Sequence, residues 1–408
     1  MKYGLIGEKL GHSFSKPIHE SIADYTYEIK EIGKDELDCF MKEKSFSGIN
    51  VTIPYKAAVI PYLDYISQDA KKIGAVNTVI NRGGKLYGYN TDFGGMKALI
   101  EKADFDFSGA KVLILGSGGT SKTARAVSEF LGAREIITVS RSGEVNYENA
   151  KLLHGDCDYI INTTPCGMYP NNDIFPIPPD DFKNLKGIVD AVYNPIETTL
   201  VQKGRKVGVK GVTGLYMLVS QAVLASQIFT GKDLDVKEIT NKVYNKILKE
   251  KQNIVLIGMP GSGKSTIGKT LCEMTGKSFI DTDEIIKETH GDISEIFAKH
   301  GEEYFRTIES EAVKQAGKNS GYIIATGGGV ILKQENIDFL KQNGIIFFLN
   351  RPIEDIVPTS DRPLSRDYES LKKRYHERYD KYVASADCEI FVDGDPKHSA
   401  EKIMEIMK

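Results

Sequence analysis

Short runs of β-branched and aliphatic residues alternate with amphipathic stretches along the whole chain. YGLIG, YTYEIKEI, GINVTI, KVLILG, EIITVS, DYIINTT, GIVDAVY, NIVLIG, YIIATGGG and IIFFLN read as strands. Between many of them lie segments such as ELDCFMKE, GGMKALIEKA and KTARAVSEFLG, whose apolar positions recur at helical spacing. This alternation predicts an α/β architecture with mainly parallel sheets. One local exception is NTVINRGGKLYGYN, residues 77–90, where a Gly-Gly turn between two short runs predicts a hairpin.

The pattern also breaks once. Residues 235–251, DVKEITNKVYNKILKEK, place Ile239, Val243, Ile247 and Leu248 on one helical face, and a new strand then opens directly into a glycine-rich loop. A loop of that kind normally follows the first strand of its own domain, so a second domain is expected from about Gln252. A length of 408 residues fits two or three domains. The composition, 41% hydrophobic and 27% charged, is that of a soluble globular protein. A net charge of −3 with interspersed signs argues against nucleic acid or an anionic membrane as partner. No run of 18 apolar residues marks a membrane span, and the N-terminus lacks the apolar stretch of a secretion signal. Five scattered cysteines read as free thiols in a reducing cytoplasm, and the seven histidines show no metal-ligand spacing.

The stretch IGMPGSGKST, residues 257–266, has the form G-x-x-x-x-G-K-S. Its glycines let backbone N–H groups close around phosphate oxygens; Lys264 supplies a point charge and Ser265 a hydroxyl for Mg²⁺. Gly261, Ser262, Gly263, Lys264, Ser265 and Thr266 are therefore candidate ATP contacts. Downstream, FIDTDEII places Asp281 and Asp283 two apart at a strand end, on one face. One could anchor Mg²⁺ while the other accepts a proton from an attacking hydroxyl. Arg306 in EEYFRTIESEA could clamp an anion, and the glycines of TGGGVI let a substrate lie against bare backbone. Alone, Asp281 could equally be a helix cap and Arg306 a solvated helix residue.

Together with DRPL (361–364) and RYDKYVASAD (378–387), these clusters resemble shikimate kinase over residues 252–408. The resemblance implies a nucleoside-monophosphate-kinase-like α/β domain. It implies that Asp283, Arg306, Gly328 and Arg378 hold shikimate, with Asp283 as base. Arg362 would close over the ATP phosphates, and Ser265 and Asp281 would serve Mg²⁺. The chain departs from the family in EDIVPTSDRPL, which lacks a nucleotide-stacking arginine, and in Ser365, where a second leucine is common.

The first half carries another glycine turn, KVLILGSGGTSKTARAV, residues 111–127. Gly116 permits the turn and Gly118 lets the backbone approach a pyrophosphate at a helix N-terminus; Ser117, Gly119 and Thr120 complete the loop. The next strand ends at Ser140-Arg141-Ser142, and an arginine there suits the 2′-phosphate of NADP, although Glu144 follows where a second cation is usual. GHSFSKP, GINVTIPYK, GAVNT, YGYNTD, INTTPCGM, DAVYNP and GLYMLVSQA resemble, in order, the segments of shikimate dehydrogenase from residue 1 to about 250. That resemblance implies that Ser13, Ser15, Thr52, Asn77, Tyr193 and Gln221 hold shikimate or 3-dehydroshikimate. Lys56 and Asp92 would be the catalytic pair, with Asp92 also on the substrate, and Ala191 and Gly214 beside the nicotinamide. Lys56 suits the chemistry, since an ammonium both protonates and stabilises the alkoxide that hydride addition creates. Read without the resemblance, Lys56 is a solvated lysine and Asp92 a helix N-cap.

The implied organisation is a substrate domain over 1–92 completed by helices from about 215–250, a Rossmann-like NADP domain over 93–214, and the kinase over 252–408. The segment between Arg141 and DYIINTT has room for one short helix, so a reduced Rossmann domain is expected. The two motif sets converge on one metabolite. They imply a cytoplasmic bifunctional enzyme, using NADP(H), ATP and Mg²⁺, for consecutive steps of aromatic amino-acid biosynthesis. A preference for quinate, an impaired kinase and a metabolite-sensing regulator are the alternatives.

Overall fold

Three sheets take up the strand-like runs. The computed structural model describes residues 2–11, 13–356 and 368–407, and the chain divides into two units, Met1–Ile247 and Leu248–Lys408. The first sheet holds β1 (Tyr3–Gly7), β2 (Tyr27–Glu31), β3 (Gly48–Val51), β4 (Tyr65–Ile66), β5 (Thr78–Arg82) and β6 (Lys85–Tyr89), in the order β2-β1-β3-β5-β6-β4. β1 pairs in parallel with β2 and β3, whereas β5 runs antiparallel to both β3 and β6. The β5–β6 ladder is the hairpin expected at residues 77–90.

The second sheet is parallel throughout. β7 (Lys111–Leu115), β8 (Glu135–Val139), β9 (Tyr159–Asn162), β10 (Gly187–Asp190) and β11 (Lys210–Thr213) follow the order β11-β10-β9-β7-β8. The chain steps outward from β7 to β8 and returns across β7 to β9. The crevice between the carboxyl ends of β7 and β9 is therefore the switch point at which such sheets bind nucleotides. Against a six-stranded doubly wound order, the described residues form no strand beyond β8, and the short helix Ala150–His154 occupies that stretch. Alternate residues of the strands divide between two cores. Val112, Ile114, Ile161 and Val189 enter one, and Leu113, Leu115, Ile160 and Ile188 the other. Burial on both faces accounts for the near-continuous apolar runs.

Helix Leu215–Thr230 returns to pack on helices Thr91–Lys102 and Ser15–Ile22. The approach is backbone-close: a Cβ on Gly95 would stand 2.7 Å from the Met217 carbonyl oxygen and 3.0 Å from the Gln221 Cβ.

In the second unit β12 (Asn253–Ile257), β13 (Ser278–Asp281), β14 (Tyr322–Ala325), β15 (Gly344–Asn350) and β16 (Cys388–Phe391) form a parallel sheet, ordered β13-β14-β12-β15-β16. The strand that opens into the phosphate loop is central. Val255, Ile257, Ile324, Ile346 and Phe348 face one core, and Ile254, Leu256, Ile323, Phe347 and Leu349 the other. At the start of this unit the Lys277 ammonium donates to the carbonyls of Lys249, Glu250 and Gln252 at 3.0, 2.9 and 3.1 Å. It thereby satisfies acceptors at the C-terminus of helix Val236–Lys251.

Gly95→Ala is expected to destabilise the first unit by about 1–3 kcal/mol, because a backbone carbonyl cannot move aside as a side chain can. Gly94→Ala, whose Cβ would meet only the Leu224 Cδ1 closely, at 2.5 Å, is expected to cost less. Thermal unfolding of the two variants checks this, and equal losses would contradict the backbone-contact account.

Candidate active sites

β3 ends at Val51, and Lys56 lies in the turn beyond it. Asn90 caps helix Thr91–Lys102 by accepting the Phe93 N–H, so Asp92 falls in the first turn rather than at the cap. That corrects the helix-cap alternative for Asp92 and leaves its carboxylate available. The Lys56 ammonium donates to it at 2.6 Å, the two side chains being only 14% and 9% exposed. Asn77 joins this group: its amide donates to Thr91 Oγ1 at 3.0 Å and to Gln221 Oε1 at 3.4 Å, while its Oδ1 accepts the Thr91 N–H at 2.7 Å.

Behind Asn77 runs a buried chain that the sequence reading missed. The Tyr27 hydroxyl donates to Asn50 Oδ1 at 2.7 Å, and the Asn50 amide donates to Thr78 Oγ1 at 3.0 Å. Asn50, Thr78 and Thr91 each lie within two residues of a singled-out position; the polarity of Asn50 and Thr78 in otherwise apolar strands was the available signal.

Ser13, Ser15 and Tyr193 form a second cluster. Ser13 Oγ accepts the Ser15 N–H at 3.2 Å and faces the Tyr193 hydroxyl, and the Phe14 and Tyr193 rings are 5.4 Å apart. Thr52 lies against Gly7, where a Cβ would stand 2.7 Å from its Cγ2.

The nucleotide loop adjoins the lysine. Gly116, at φ +106°, leaves no room for a Cβ, which would stand 2.8 Å from Thr163 Oγ1 across the switch point. Ser117 follows, Gly118 precedes helix Gly119–Phe130, and Thr120 lies in its first turn. A Cβ on Gly119 would be 3.5 Å from Lys56 Cδ, so the loop that would hold a pyrophosphate rests on the stem of Lys56. Ala191 and Gly214 adjoin, since a Cβ on Gly214 would run into the Ala191 backbone. Ser140-Arg141-Ser142 form the turn after β8, with Arg141 exposed at the strand's carboxyl end. The cradle fits a dinucleotide.

In the second unit Lys264 curls over its own loop and donates to the carbonyls of Gly258 and Met259 at 3.0 and 2.9 Å. Gly261 and Gly263 have positive φ, Ser262 is buried beneath the loop, and Thr266 lies in the first turn of helix Lys264–Thr275. Ser265 Oγ donates to Asp281 Oδ2 at 2.7 Å, while Asp281 Oδ1 accepts the Asp283 N–H at 3.0 Å. Asp281 is thus both a helix cap and the partner of Ser265. A hydroxyl and a carboxylate side by side are hard oxygen donors of the kind Mg²⁺ takes. Burial pushes the Asp283 carboxyl up to about 6, the Asp281 charge adding to the shift and Lys264 opposing it.

Arg306 is held between two carboxylates, donating to Glu309 Oε2 at 2.7 Å and Glu302 Oε1 at 2.8 Å. Arg378 donates to the Gly328 carbonyl at 2.9 Å, as does the Tyr382 hydroxyl at 2.5 Å. The three glycines are close-approach positions. A Cβ on Gly327 would stand 2.7 Å from Asp283 Oδ1, one on Gly328 2.6 Å from Pro260 Cδ, and one on Gly329 within the Arg306 guanidinium. Asp283, Arg306, Gly328 and Arg378 therefore meet around the glycine run, beside Pro260 of the phosphate loop. Glu309 was missed: it is buried, its other oxygen is unpaired, and burial raises its pKa. Its spacing of three from Arg306 was the signal. Arg362 lies outside the described residues.

The first unit thus has the build of a nicotinamide-nucleotide oxidoreductase and the second that of a P-loop phosphotransferase. Known proteins make both assignments particular. Residues 5–79 match the model of the shikimate dehydrogenase substrate binding domain, and residues 260–408 match that of shikimate kinase. A shikimate dehydrogenase (NADP(+)) of Clostridium perfringens (strain 13 / Type A) is 38% identical over 265 residues, spanning 60% of this chain and 97% of the relative. The crystal structure of shikimate dehydrogenase 1 from Peptoclostridium difficile is 37% identical with a TM-score of 0.57, covering 60% of this chain and 98% of that one. Shikimate 5-dehydrogenase of Thermus thermophilus, solved in complex with NADP(H) and shikimate, is 25% identical with a TM-score of 0.53, covering 60% and 99%. The chain belongs to the shikimate dehydrogenase family, and a shikimate kinase domain is fused behind it.

The Asp283 environment has a measurable cost. Its folded pKa of about 6 exceeds the ordinary 3.8, so the folded state binds its proton more tightly than the unfolded chain does. The second unit therefore loses stability as pH rises from about 4 through about 6, by roughly 2–3 kcal/mol once the acid is ionised. Asp283→Asn is expected to stabilise this unit by an amount of that order at pH 8 and by little at pH 4. Denaturant unfolding at the two pH values checks it; a variant equally stable with its parent at pH 8 would contradict the burial argument.

Proposed function

We infer that the chain catalyses two consecutive reactions: NADPH-dependent reduction of 3-dehydroshikimate to shikimate, then ATP-dependent phosphorylation of shikimate to shikimate 3-phosphate. The observation that carries this reading is one chain holding both a lysine–carboxylate pair against a dinucleotide loop and a buried acid against a phosphate loop. Residues 1–92 with the helices from about 215–250 form the substrate domain in this reading, residues 93–214 the NADP domain and residues 252–408 the kinase.

When bound, NADPH supplies the hydride, with Gly116, Ser117, Gly118, Gly119 and Thr120 on the pyrophosphate, Arg141 on the 2′-phosphate between Ser140 and Ser142, and Ala191 and Gly214 beside the nicotinamide. Ser13, Ser15, Thr52, Asn77, Tyr193 and Gln221 orient the keto acid. Lys56 donates a proton to the oxygen that becomes the 3-hydroxyl, and Asp92 holds the ammonium in place and bonds the same oxygen. Hydroxyls and amides from separate segments suit a small polyhydroxylated acid.

When bound, MgATP would supply the phosphoryl group, with Lys264 on its phosphates and Ser265 and Asp281 on the metal side; Arg362, the further phosphate contact of this reading, lies outside the described residues. Arg306 and Arg378 hold the shikimate carboxylate, the Gly328 backbone lies along the ring, and Asp283 takes the proton from the 3-hydroxyl. Glu302 and Glu309 aim Arg306 at the substrate. Among the described residues no helix is long and apolar enough to cross a membrane. We place the enzyme in the cytoplasm, a reading supported by five unpaired cysteines.

Mass spectrometry of purified protein incubated with 3-dehydroshikimate, NADPH, ATP and Mg²⁺ tests the reading, the expected product being shikimate 3-phosphate. Lys56→Met should lower reduction about 10²–10⁴-fold while leaving phosphorylation of added shikimate intact. Asp283→Asn should instead accumulate shikimate. Persistence of 3-dehydroshikimate with the unsubstituted protein would sink the reductase assignment, and shikimate without phosphate would sink the kinase.

A further inference from the structure

DAVYNP was singled out for Ala191 and Tyr193, yet its first residue has the denser set of contacts. Asp190 is the last residue of β10 and is fully buried. Its Oδ1 accepts the Val192 N–H at 3.0 Å and the Asn162 amide at 2.9 Å, and its Oδ2 accepts the Thr198 hydroxyl at 2.7 Å. The three donors come from the exit of its own strand, the end of β9, and the residue that caps helix Thr199–Lys206.

Asn162 extends the set. Its Oδ1 accepts the Thr164 N–H at 3.0 Å and the Thr164 hydroxyl at 2.7 Å, and its backbone carbonyl takes the Ala191 N–H at 2.9 Å. Thr163, between them, donates from its hydroxyl to the Leu115 carbonyl at 2.6 Å and abuts Gly116 of the nucleotide loop. The carboxylate thus joins the Ala191–Tyr193 segment, through the Val192 N–H, to the loop after β9 that leans on Gly116, through Asn162.

We propose that Asp190 is a positioning residue for hydride transfer, fixing the segment Ala191–Tyr193 against the loop after β9 so that nicotinamide and keto acid meet in register. This rests on the reductase reading and deepens it. An apolar residue at this position would leave three buried donors unpaired, and a backbone shift would break several bonds together, so the arrangement has one satisfied geometry. Burial pushes this acid up to about 7, opposed by its three donors. The bonds persist when the acid is protonated, because the Thr198 hydroxyl can then accept from it. An asparagine reproduces that state: its oxygen keeps the Val192 and Asn162 bonds and its amide donates to Thr198.

The experiment uses the full chain with 3-dehydroshikimate and 4-deuterated NADPH. Asp190→Ala is expected to lower the reductase kcat about 30-fold, since misplaced reactants lose orientation. It should also raise the deuterium isotope effect on kcat, as hydride transfer becomes slower than product release. Shikimate phosphorylation by the same molecules should be unchanged and serves as the concentration control. Asp190→Asn should restore kcat to within about threefold and return the isotope effect to its parental value. A merely structural role would reduce the active fraction and leave the isotope effect alone.

Parental kcat and isotope effect in Asp190→Ala would overturn the proposal, as would an Asp190→Asn variant as slow as Asp190→Ala. If Asp190→Ala fails to fold, Thr198→Val, which removes one donor, is held to the same two readouts with Thr198→Ser as its rescue. No reduction by the unsubstituted chain would overturn the reading and the inference together, whereas a fast Asp190→Ala in an active background overturns the inference alone.

Discussion

A parallel sheet delivers the carboxyl ends of all its strands to one edge, and both halves of the chain depend on that constraint. In the second sheet the edge gathers Gly116 after β7, Ser140 after β8, Thr163 after β9 and Ala191 after β10. In the third it gathers the phosphate loop after β12, Asp281 at the end of β13 and the glycine run after β14. Residues far apart in sequence thereby meet without long loops to carry them. The strands themselves are occupied by packing on both faces, so chemistry is confined to their ends.

Close approach at that edge is limited by side-chain bulk, and glycine relieves it where two loops or helices must touch. Gly116 against Thr163 and Gly327 against Asp283 bring catalytic loops together. Gly95 against Met217 does the same for two helices, bringing Thr91 and Gln221 together at the Asn77 amide. The polar groups drawn into these contacts must then find partners, because an unpaired buried donor costs more than the bond contributes. The Tyr27–Asn50–Thr78 chain and the donors around Asp190 are consequences of that rule.

These two effects divide what was legible in the sequence from what was not. Phosphate recognition needs glycines and a cation at fixed local spacing, so both nucleotide loops could be read directly from a few adjacent residues. The mainly parallel sheets followed from the alternation of apolar runs, and the reduced extent of the second sheet's domain followed from the short stretch after Arg141. Asp190 could not be read in this way, and for Glu309 only its spacing from Arg306 pointed to it. The role of Asp190 arises from burial and from donors on other segments, that of Glu309 from burial beside Arg306 on its own helix, and an acid beside an apolar residue does not announce its burial. The competition between Asn90 and Asp92 for the helix cap was likewise undecidable locally, since both residue types cap well. The Asn90 bond to the Phe93 N–H and the approach of Lys56 to Asp92 distinguish them.

The proposed chemistry requires the two sites to be electrostatically opposed. The oxygen at C3 of the metabolite gains a proton when the ketone is reduced and loses one when the alcohol is phosphorylated. The first step calls for an acid beside a developing alkoxide, and the second for a base beside a hydroxyl. In the first unit a lysine stands beside a carboxylate at 2.6 Å, so the donor at that site is an ammonium nitrogen aimed by its partner. In the second, burial and a neighbouring carboxylate destabilise the Asp283 anion and raise its proton affinity towards neutrality, which makes it a better acceptor. No single cavity could present a cation to that oxygen in one half-reaction and a proton-seeking anion in the next without exchanging its charges. Separate units resolve the conflict, each keeping one fixed field for the metabolite that the two reactions share.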